Sequence, residues 1–175
     1  MNIMCDFKKG ERYFPTIERK RECAYVNFMN RKRLREHCFK MLFCTGFYPE
    51  DEKEAQMEQY FEEPSEEETQ EDGSEEVLHN PEADAQDRAY IKEKVEKILE
   101  KTEELDAAIN GVAEGWKISR MGRAEVAILR LALFEIRYDE TVPTKVAINE
   151  AVELAKKFGG NDSPSFVNGI LAKLV

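Results

Sequence analysis

The sequence has few of the residue types on which most enzymes and secreted proteins depend. Its 175 residues include two histidines, His37 and His79, and a single tryptophan. The four cysteines form no C-x-x-C pair and stand at no zinc-ligand spacing from a histidine, so no zinc site is indicated. Free thiols of this kind are typical of a reduced, cytoplasmic setting.

Further absences narrow the class of protein. No run of 18 or more apolar residues could span a bilayer, and no apolar run precedes a small-residue cleavage site near the first residue. The sequence also lacks a glycine-rich phosphate loop, an H-E-x-x-H motif and a fixed pairing of nucleophile with base. It therefore predicts neither an enzyme nor a bound cofactor or metal.

Acidic residues are plentiful, but they are concentrated in one segment. The net charge of the whole chain is -10. Residues 50–87 hold 17 acidic residues and one basic residue, a net of -16, whereas residues 1–49 carry a net of +6 and residues 88–175 are balanced. The low isoelectric point is therefore compatible with a basic N-terminal part that binds a polyanion.

Apolar periodicity predicts an all-α protein of about seven helices. The segment 123–138 is apolar nearly all round, which is typical of a helix at the centre of a bundle. Ser163 is expected to cap the last helix, with Pro164 in its first turn, and Gly169 to mark a close helix contact. No strand is predicted. Six of the predicted helices can be placed in the sequence, at residues 31–47, 51–62, 84–110, 123–138, 143–158 and from 163 onward.

Composition divides the chain into three parts. Residues 29–175 read as one helical domain. Within it, residues 63–87 have too few apolar side chains to offset the entropy of ordering, which predicts an acidic disordered insertion. Residues 1–28 show no periodicity and are interpreted as an N-terminal extension upstream of a natural start at Met29. The intact mass of the native protein would test that start.

The first predicted helix begins with four cations within five residues, Arg31, Lys32, Arg33 and Arg35. A cation at a helix N-terminus opposes the helix dipole and costs about 0.3–1 kcal/mol, so the cluster calls for a further explanation. The predicted core stripe of this helix comprises Leu34, Cys38, Met41, Leu42 and Thr45. Beside it, an aromatic row recurs every four residues and comprises Phe39, Phe43 and Phe47.

Cations beside aromatic faces suit single-stranded nucleic acid, because the cations neutralise phosphates and the rings stack bases. The residues alone leave the alternative open, in which the cations are merely solvated and the phenylalanines belong to the core.

The segment "GGNDSPSFVNG" is the second candidate site. Asp162 and Ser163 fall at a helix start, where backbone N–H groups point outward and can receive an anion. A carboxylate there can accept hydrogen bonds from base amino groups, and Phe166 offers a stacking face. On the residues alone, a plain Asp/Ser cap with a buried Phe166 is the simpler interpretation.

Several motifs together resemble the bacterial transcription antitermination family NusB: "RKRLREHCFKMLF", "RAEVAILRLALFEI", "VPTKVAINEAVELAKKFG" and "DSPSFVNGIL". The resemblance runs from residue 30 to the last residue, apart from the acidic segment. It implies an all-helical fold in two small bundles and no catalysis. It also implies binding of single-stranded boxA RNA in ribosomal RNA leaders. The implied partners are NusE, a small-subunit ribosomal protein, and the RNA polymerase complex with other Nus factors.

The resemblance also assigns site residues. The family's arginine-rich motif falls on the four cations, its aromatic contact on Phe43, and its last-helix contacts on Asp162 and Phe166. Glu125 falls where a NusE contact is expected. A protein-interaction scaffold, whose basic helix contacts polymerase instead of RNA, remains the main alternative. The predicted RNA-binding residues are Arg31, Lys32, Arg33, Arg35, Phe43, Asp162, Ser163 and Phe166.

Overall fold

The computed structural model describes residues 29–69, 75–79, 83–113 and 117–175. Seven α-helices make up most of this part of the chain, which confirms the predicted all-α class. Residues 1–28 lie outside the described residues, so the extension and the natural start at Met29 stay predictions.

The first helix, α1, spans Arg31–Thr45 and begins at a capping asparagine. The Asn30 side chain accepts a 2.9 Å hydrogen bond from the backbone N–H of Arg33, and asparagine is among the preferred caps. Gly46 follows the last turn, so α1 ends two residues before the predicted boundary. The core stripe is buried as predicted and includes Cys38, Met41 and Leu42.

The acidic segment that follows contains a helix and a short hairpin. A 3-10 turn at Glu50–Glu52 leads into α2, Lys53–Gln59. Strands β1, Glu66–Thr69, and β2, Glu75–His79, then pair antiparallel. The sequence predicts no strand here because glutamate, which fills most of β1, is depleted in strands, whereas backbone pairing needs no apolar pattern. That residues 63–87 are an insertion stays a prediction.

The single helix predicted over residues 84–110 is two helices. Helix α3 spans Ala85–Glu100 and α4 spans Thr102–Val112, with Lys101 between them at φ -99° and ψ 6°. No proline or glycine marks the break in the sequence. Packing accounts for it. Helix α3 lies against α1, whereas α4 lies against the later helices at Arg123–Tyr138 and Ser163–Leu174 and buries Leu105 and Ile109 completely.

The last three helices agree with the sequence prediction to within a residue or two. Helix α5 spans Arg123–Tyr138, α6 spans Thr144–Phe158 and α7 spans Ser163–Leu174. Pro143 occupies the cap position of α6, and Asp162, instead of Ser163, occupies that of α7. The central position of α5 is confirmed by its fully or almost fully buried side chains, among them Ile128, Leu129, Leu131 and Leu133.

The helices form two small groups that share α5. Helices α1, α2 and α3 pack together, and α4, α6 and α7 surround α5, which also contacts α1 and α3. One continuous hydrophobic core runs through both groups. None of the described helices is both long and apolar enough to cross a membrane.

Candidate nucleic-acid interface

Three of the four predicted cations form an exposed cluster at the start of α1. We call Arg31, Lys32 and Arg33 the basic start; all three are exposed, and the first turn of α1 holds no acidic residue. Within the described residues none of them forms an ion pair, although Arg31 reaches the carbonyl of Thr141 at 3.5 Å. These charges are therefore available to an anionic partner.

The fourth cation, Arg35, is buried, which corrects its predicted place on the surface. Its side chain is 8% exposed, and its Nε lies 2.9 Å from Oε2 of Glu135, a side chain that is itself 1% exposed. Its Nη1 lies 3.3 Å from Glu150 on α6. Arg35 points inward and is neutralised by two carboxylates, so it holds α1 to α5 and α6 instead of presenting its charge to RNA.

Lys94 completes this buried network from α3. Its Nζ lies 2.7 Å from Oε1 of Glu135 and 3.2 Å from Oδ2 of Asp139. Burial acts to lower the pKa of Lys94, but the charge of Glu135 and the hydrogen bond to it outweigh burial and raise the pKa above its ordinary value. The buried carboxylate of Glu135 therefore has a permanently charged partner on each side.

A groove of about 240 Å³ separates α1 from α6 beside the basic start. Glu36 crosses it, accepting from Lys157 at 2.9 Å and pairing with Lys40 at 3.1 Å. Burial acts to raise the pKa of Glu36, but the hydrogen bonds from both lysines outweigh it and lower the pKa from its ordinary 4.5. The basic start thus continues into a surface of mixed charge, where lysines are already paired.

The aromatic row on α1 runs from the core to the surface. Phe39 is buried and stacks on Phe158 of α6 with ring centroids 4.8 Å apart. Phe43, one turn later, is half-buried and lies 6.0 Å from Phe39. Phe47 follows beyond the end of α1 and is 54% exposed. The predicted stacking residue Phe43 therefore sits at the boundary of the core, with part of its ring accessible.

The start of α7 lies against the start of α5. The hydroxyl of Ser163 donates a hydrogen bond to the carboxylate of Glu125, and Ser163 is buried. Ser163 therefore neither caps α7 nor presents its hydroxyl to solvent, and its predicted RNA contact is corrected to a supporting contact below the surface. A Cβ at Gly159 would lie 2.4 Å from that of Ser163, so α6 must end on glycine here.

The other two predicted residues of α7 are more accessible. Asp162 is exposed, and its side chain makes no capping hydrogen bond to α7, so within the described residues the carboxylate is accessible at the helix start. Phe166 is half-buried and packs against the core. A partly accessible ring beside a free carboxylate is the arrangement that the sequence predicts for base recognition at this place.

The predicted residues therefore form two patches, one at each end of α1. The basic start lies at the first turn, and Phe43 lies 12 residues along, a distance of about 18 Å on a helix. The second patch extends to α7, because the Arg123 guanidinium lies 4.2 Å over the ring of Phe47, and Glu125, two residues after Arg123, contacts Ser163. The sequence motifs do not single out Arg123, because nothing in the sequence shows that it meets Phe47, which lies 76 residues earlier.

The fold and these two patches define the class: a small helical protein with a cationic and aromatic surface suited to a nucleic acid. A family model described as the NusB family matches residues 32–175. Transcription antitermination protein NusB from Lachnoclostridium phytofermentans is 46% identical over 147 residues, covering 84% of this chain and 99% of the relative. The corresponding protein of Agathobacter rectalis is 45% identical over 145 residues, covering 83% and 98%.

The chain belongs to the NusB family, as the sequence motifs predict. It is a transcription antitermination protein, and the family is not catalytic. Among solved structures, T. maritima NusB matches with a TM-score of 0.67 and 27% identity, covering 83% of this chain and 90% of that one. A crystal structure of the antitermination factors NusB and NusE in complex with double-stranded RNA shares the fold, with a TM-score of 0.60 and 21% identity over 83% of this chain and 97% of that one.

Proposed function

We propose that this protein binds boxA-type single-stranded RNA in ribosomal RNA leaders together with NusE, and thereby supports processive transcription by RNA polymerase. The observation that carries the proposal is the basic start. Three exposed cations, which form no ion pair with any described residue, occupy the end of a helix where the dipole disfavours positive charge by about 0.3–1 kcal/mol each. Phosphates would offset that cost.

The second patch supports the same function. Phe43 and Phe166 each offer part of a ring for stacking, and the free carboxylate of Asp162 can accept from base amino groups. Stacking on an aromatic ring contributes about 1–3 kcal/mol per base, which is enough to fix a strand whose phosphates are held elsewhere. We propose Arg31, Lys32, Arg33, Phe43, Asp162 and Phe166 as RNA contacts.

Glu125 is proposed as a contact of NusE. Its side chain is only partly buried, and it already accepts a hydrogen bond from Ser163, so its carboxylate is held in a fixed position. The proposed setting is the cytoplasmic RNA polymerase complex with other Nus factors. The alternative is a protein-interaction scaffold whose basic start contacts polymerase instead of RNA. It predicts that RNA does not strengthen the complex with NusE.

Fluorescence anisotropy with a labelled boxA-type strand tests the proposal. The full chain is titrated with and without the cognate NusE, at two salt concentrations, with a scrambled strand as control. We expect binding that NusE strengthens, that scrambling weakens and that salt reduces. If NusE binds while RNA adds nothing at either salt concentration, the scaffold is the better account.

A further inference from the structure

One exposed aromatic side chain is not explained by the core. Phe47 lies past the end of α1, with its backbone N–H bonded to the carbonyl of Cys44 at 3.1 Å, and more than half of its side chain is exposed. Its ring stands edge-on to that of Phe43, with centroids 5.1 Å apart. An isolated exposed phenylalanine needs no explanation, but this one extends an aromatic pair outward.

Arg123 holds the Phe47 ring in place from the start of α5. Its guanidinium carbon lies 4.2 Å from the ring centroid, and its Nη1 donates to the carbonyl of Gly46 at 3.1 Å. Among the described residues Arg123 forms no ion pair, although it is exposed at a helix start. Stacking and one hydrogen bond therefore hold the orientation of the Arg123 guanidinium, and its other N–H donors stay available.

A groove of about 280 Å³ opens beside this pair, between the end of α1 and the start of α5. Its walls include Leu42, Phe43, Met121 and Arg123. The other cation in the groove, Arg130, is bonded through Nε and Nη2 to the Asp106 carboxylate at 2.7 Å each. Arg123 is thus the cation here whose charge no carboxylate of the described residues neutralises.

We propose that this groove, together with the exposed Phe47 ring that packs against its lining residues Phe43 and Arg123, receives one unpaired base of the RNA and its phosphate. The inference rests on the proposed RNA-binding function and adds a subsite to it. The base stacks on the exposed aromatic surface, and the guanidinium binds the phosphate. Charge favours RNA over an apolar peptide, because a phosphate can pair with the Arg123 guanidinium and an apolar side chain cannot. The groove is also continuous with the proposed surface through Phe43, which lines it.

Two variants test the two halves of the subsite in the anisotropy assay with NusE. Phe47→Leu keeps an apolar side chain without the ring and should weaken binding about 5- to 150-fold, with an unchanged salt slope. Arg123→Gln should flatten the log–log salt dependence by about 0.7, the value of one phosphate contact on a single strand. Arg137→Gln is the matched control, because it removes a cation from the same helix about 21 Å away and should change neither quantity.

An abasic scan of the RNA identifies the base. Each nucleotide of the strand is replaced in turn by an abasic one. At the position that occupies the groove, loss of the base should weaken binding to the wild-type protein but add nothing in Phe47→Leu. At every other position, the fold-losses of affinity caused by the abasic nucleotide and by Phe47→Leu should multiply, since independent contacts are additive in free energy.

These experiments distinguish a wrong subsite from a wrong function. If Phe47→Leu and Arg123→Gln bind RNA like wild type while Lys32→Gln still flattens the salt slope, the subsite is wrong and the RNA-binding function stands. If the wild-type protein binds no RNA with NusE present, both the subsite and the RNA-binding function are wrong. Circular dichroism of each variant confirms folding, and the exposed Arg123 variant decides the matter if Phe47→Leu is unstable.

Discussion

Arg33 and Arg35 stand two positions apart on α1, yet one is exposed and the other is buried. Two positions on a helix differ by about 200° in direction, so one side chain points out where the other points in. The sequence shows that cations cluster here, but it does not show which of them meets a carboxylate. The partner, Glu135, lies 100 residues further along the chain, and only the packing of α5 brings it to Arg35.

The buried network predicts that Arg35 matters for stability. Arg35→Met should lower the free energy of unfolding by about 1–3 kcal/mol, because the buried Glu135 carboxylate loses one of its two charged partners while Lys94 still pairs with it. Urea denaturation measures the loss. Arg33→Met, an exposed change of the same kind, should stay within about 0.5 kcal/mol of wild type. Equal stability of the two variants would show that Arg35 is not held as the structure describes.

Phe43 and Phe39 should separate RNA binding from stability. Phe43→Leu should weaken RNA binding by about 1–3 kcal/mol without changing the salt slope, because a stacking ring is lost and no charge is removed. Phe39→Leu, one turn earlier in the core, should lower stability and leave the RNA affinity of the folded protein unchanged. Anisotropy and urea denaturation on both variants check this, and a larger affinity loss in Phe39→Leu would contradict it.

At the scale of whole elements, the sequence predicts helices best where their own pattern decides them. The boundaries of α5 are predicted to the residue because its apolar run begins and ends sharply. The break at Lys101 is missed because apolar residues keep the helical period across it, and only the separate partners of α3 and α4 require a bend. The hairpin in the acidic segment is missed because backbone pairing leaves no mark on a glutamate-rich pattern.

Two glycines predict opposite effects of the same substitution. Gly159→Ala should destabilise the protein by about 1–3 kcal/mol, because its Cβ would lie 2.4 Å from the Cβ of Ser163 and 2.7 Å from the carbonyl of Ala155. No atom in the described part of the chain lies within 4 Å of a Cβ at Gly169, so the close helix contact expected there is wrong. Gly169→Ala should stabilise α7 by about 0.5–1 kcal/mol. Thermal denaturation measures both, and the same sign in both would refute this account.

The junction of α1 with α6 should weaken in acid. The pKa of Glu36 is lowered in the folded state, so its contribution is complete above its ordinary pKa of 4.5 and is lost as pH falls through the lower folded value. At pH 7, Glu36→Gln should cost about 0.2–1 kcal/mol, and the cost should shrink below pH 4.5. Urea denaturation across this range tests it, with the exposed Glu140→Gln as control. A cost that stays constant down to pH 3 would contradict the pairing.

At the scale of the whole molecule, the acidic and the basic residues are concentrated in different segments of the chain. The acidic residues concentrated between 50 and 87 give the protein its net charge of -10, while the basic start keeps three exposed cations on one helix end. The family and the fold class could be predicted from motifs. The grouping of the candidate residues could not, because the sequence places Phe43 with the cations of α1, whereas in the structure it lies at the other end of that helix. The division of those residues into exposed contacts and buried supports could not, because burial depends on α5 and α7, which are distant in sequence.

The most direct test of the central claim removes the basic start. A triple variant, Arg31→Gln, Lys32→Gln and Arg33→Gln, is titrated with boxA-type RNA and NusE at several salt concentrations. We expect weaker binding and a log–log salt slope flattened by about 2, from three phosphate contacts of about 0.7 each. The control removes three other cations, Lys97, Lys101 and Arg137, in the same way and should leave the slope unchanged. A slope in the basic-start variant equal to that of wild type would contradict the claim that these residues bind RNA.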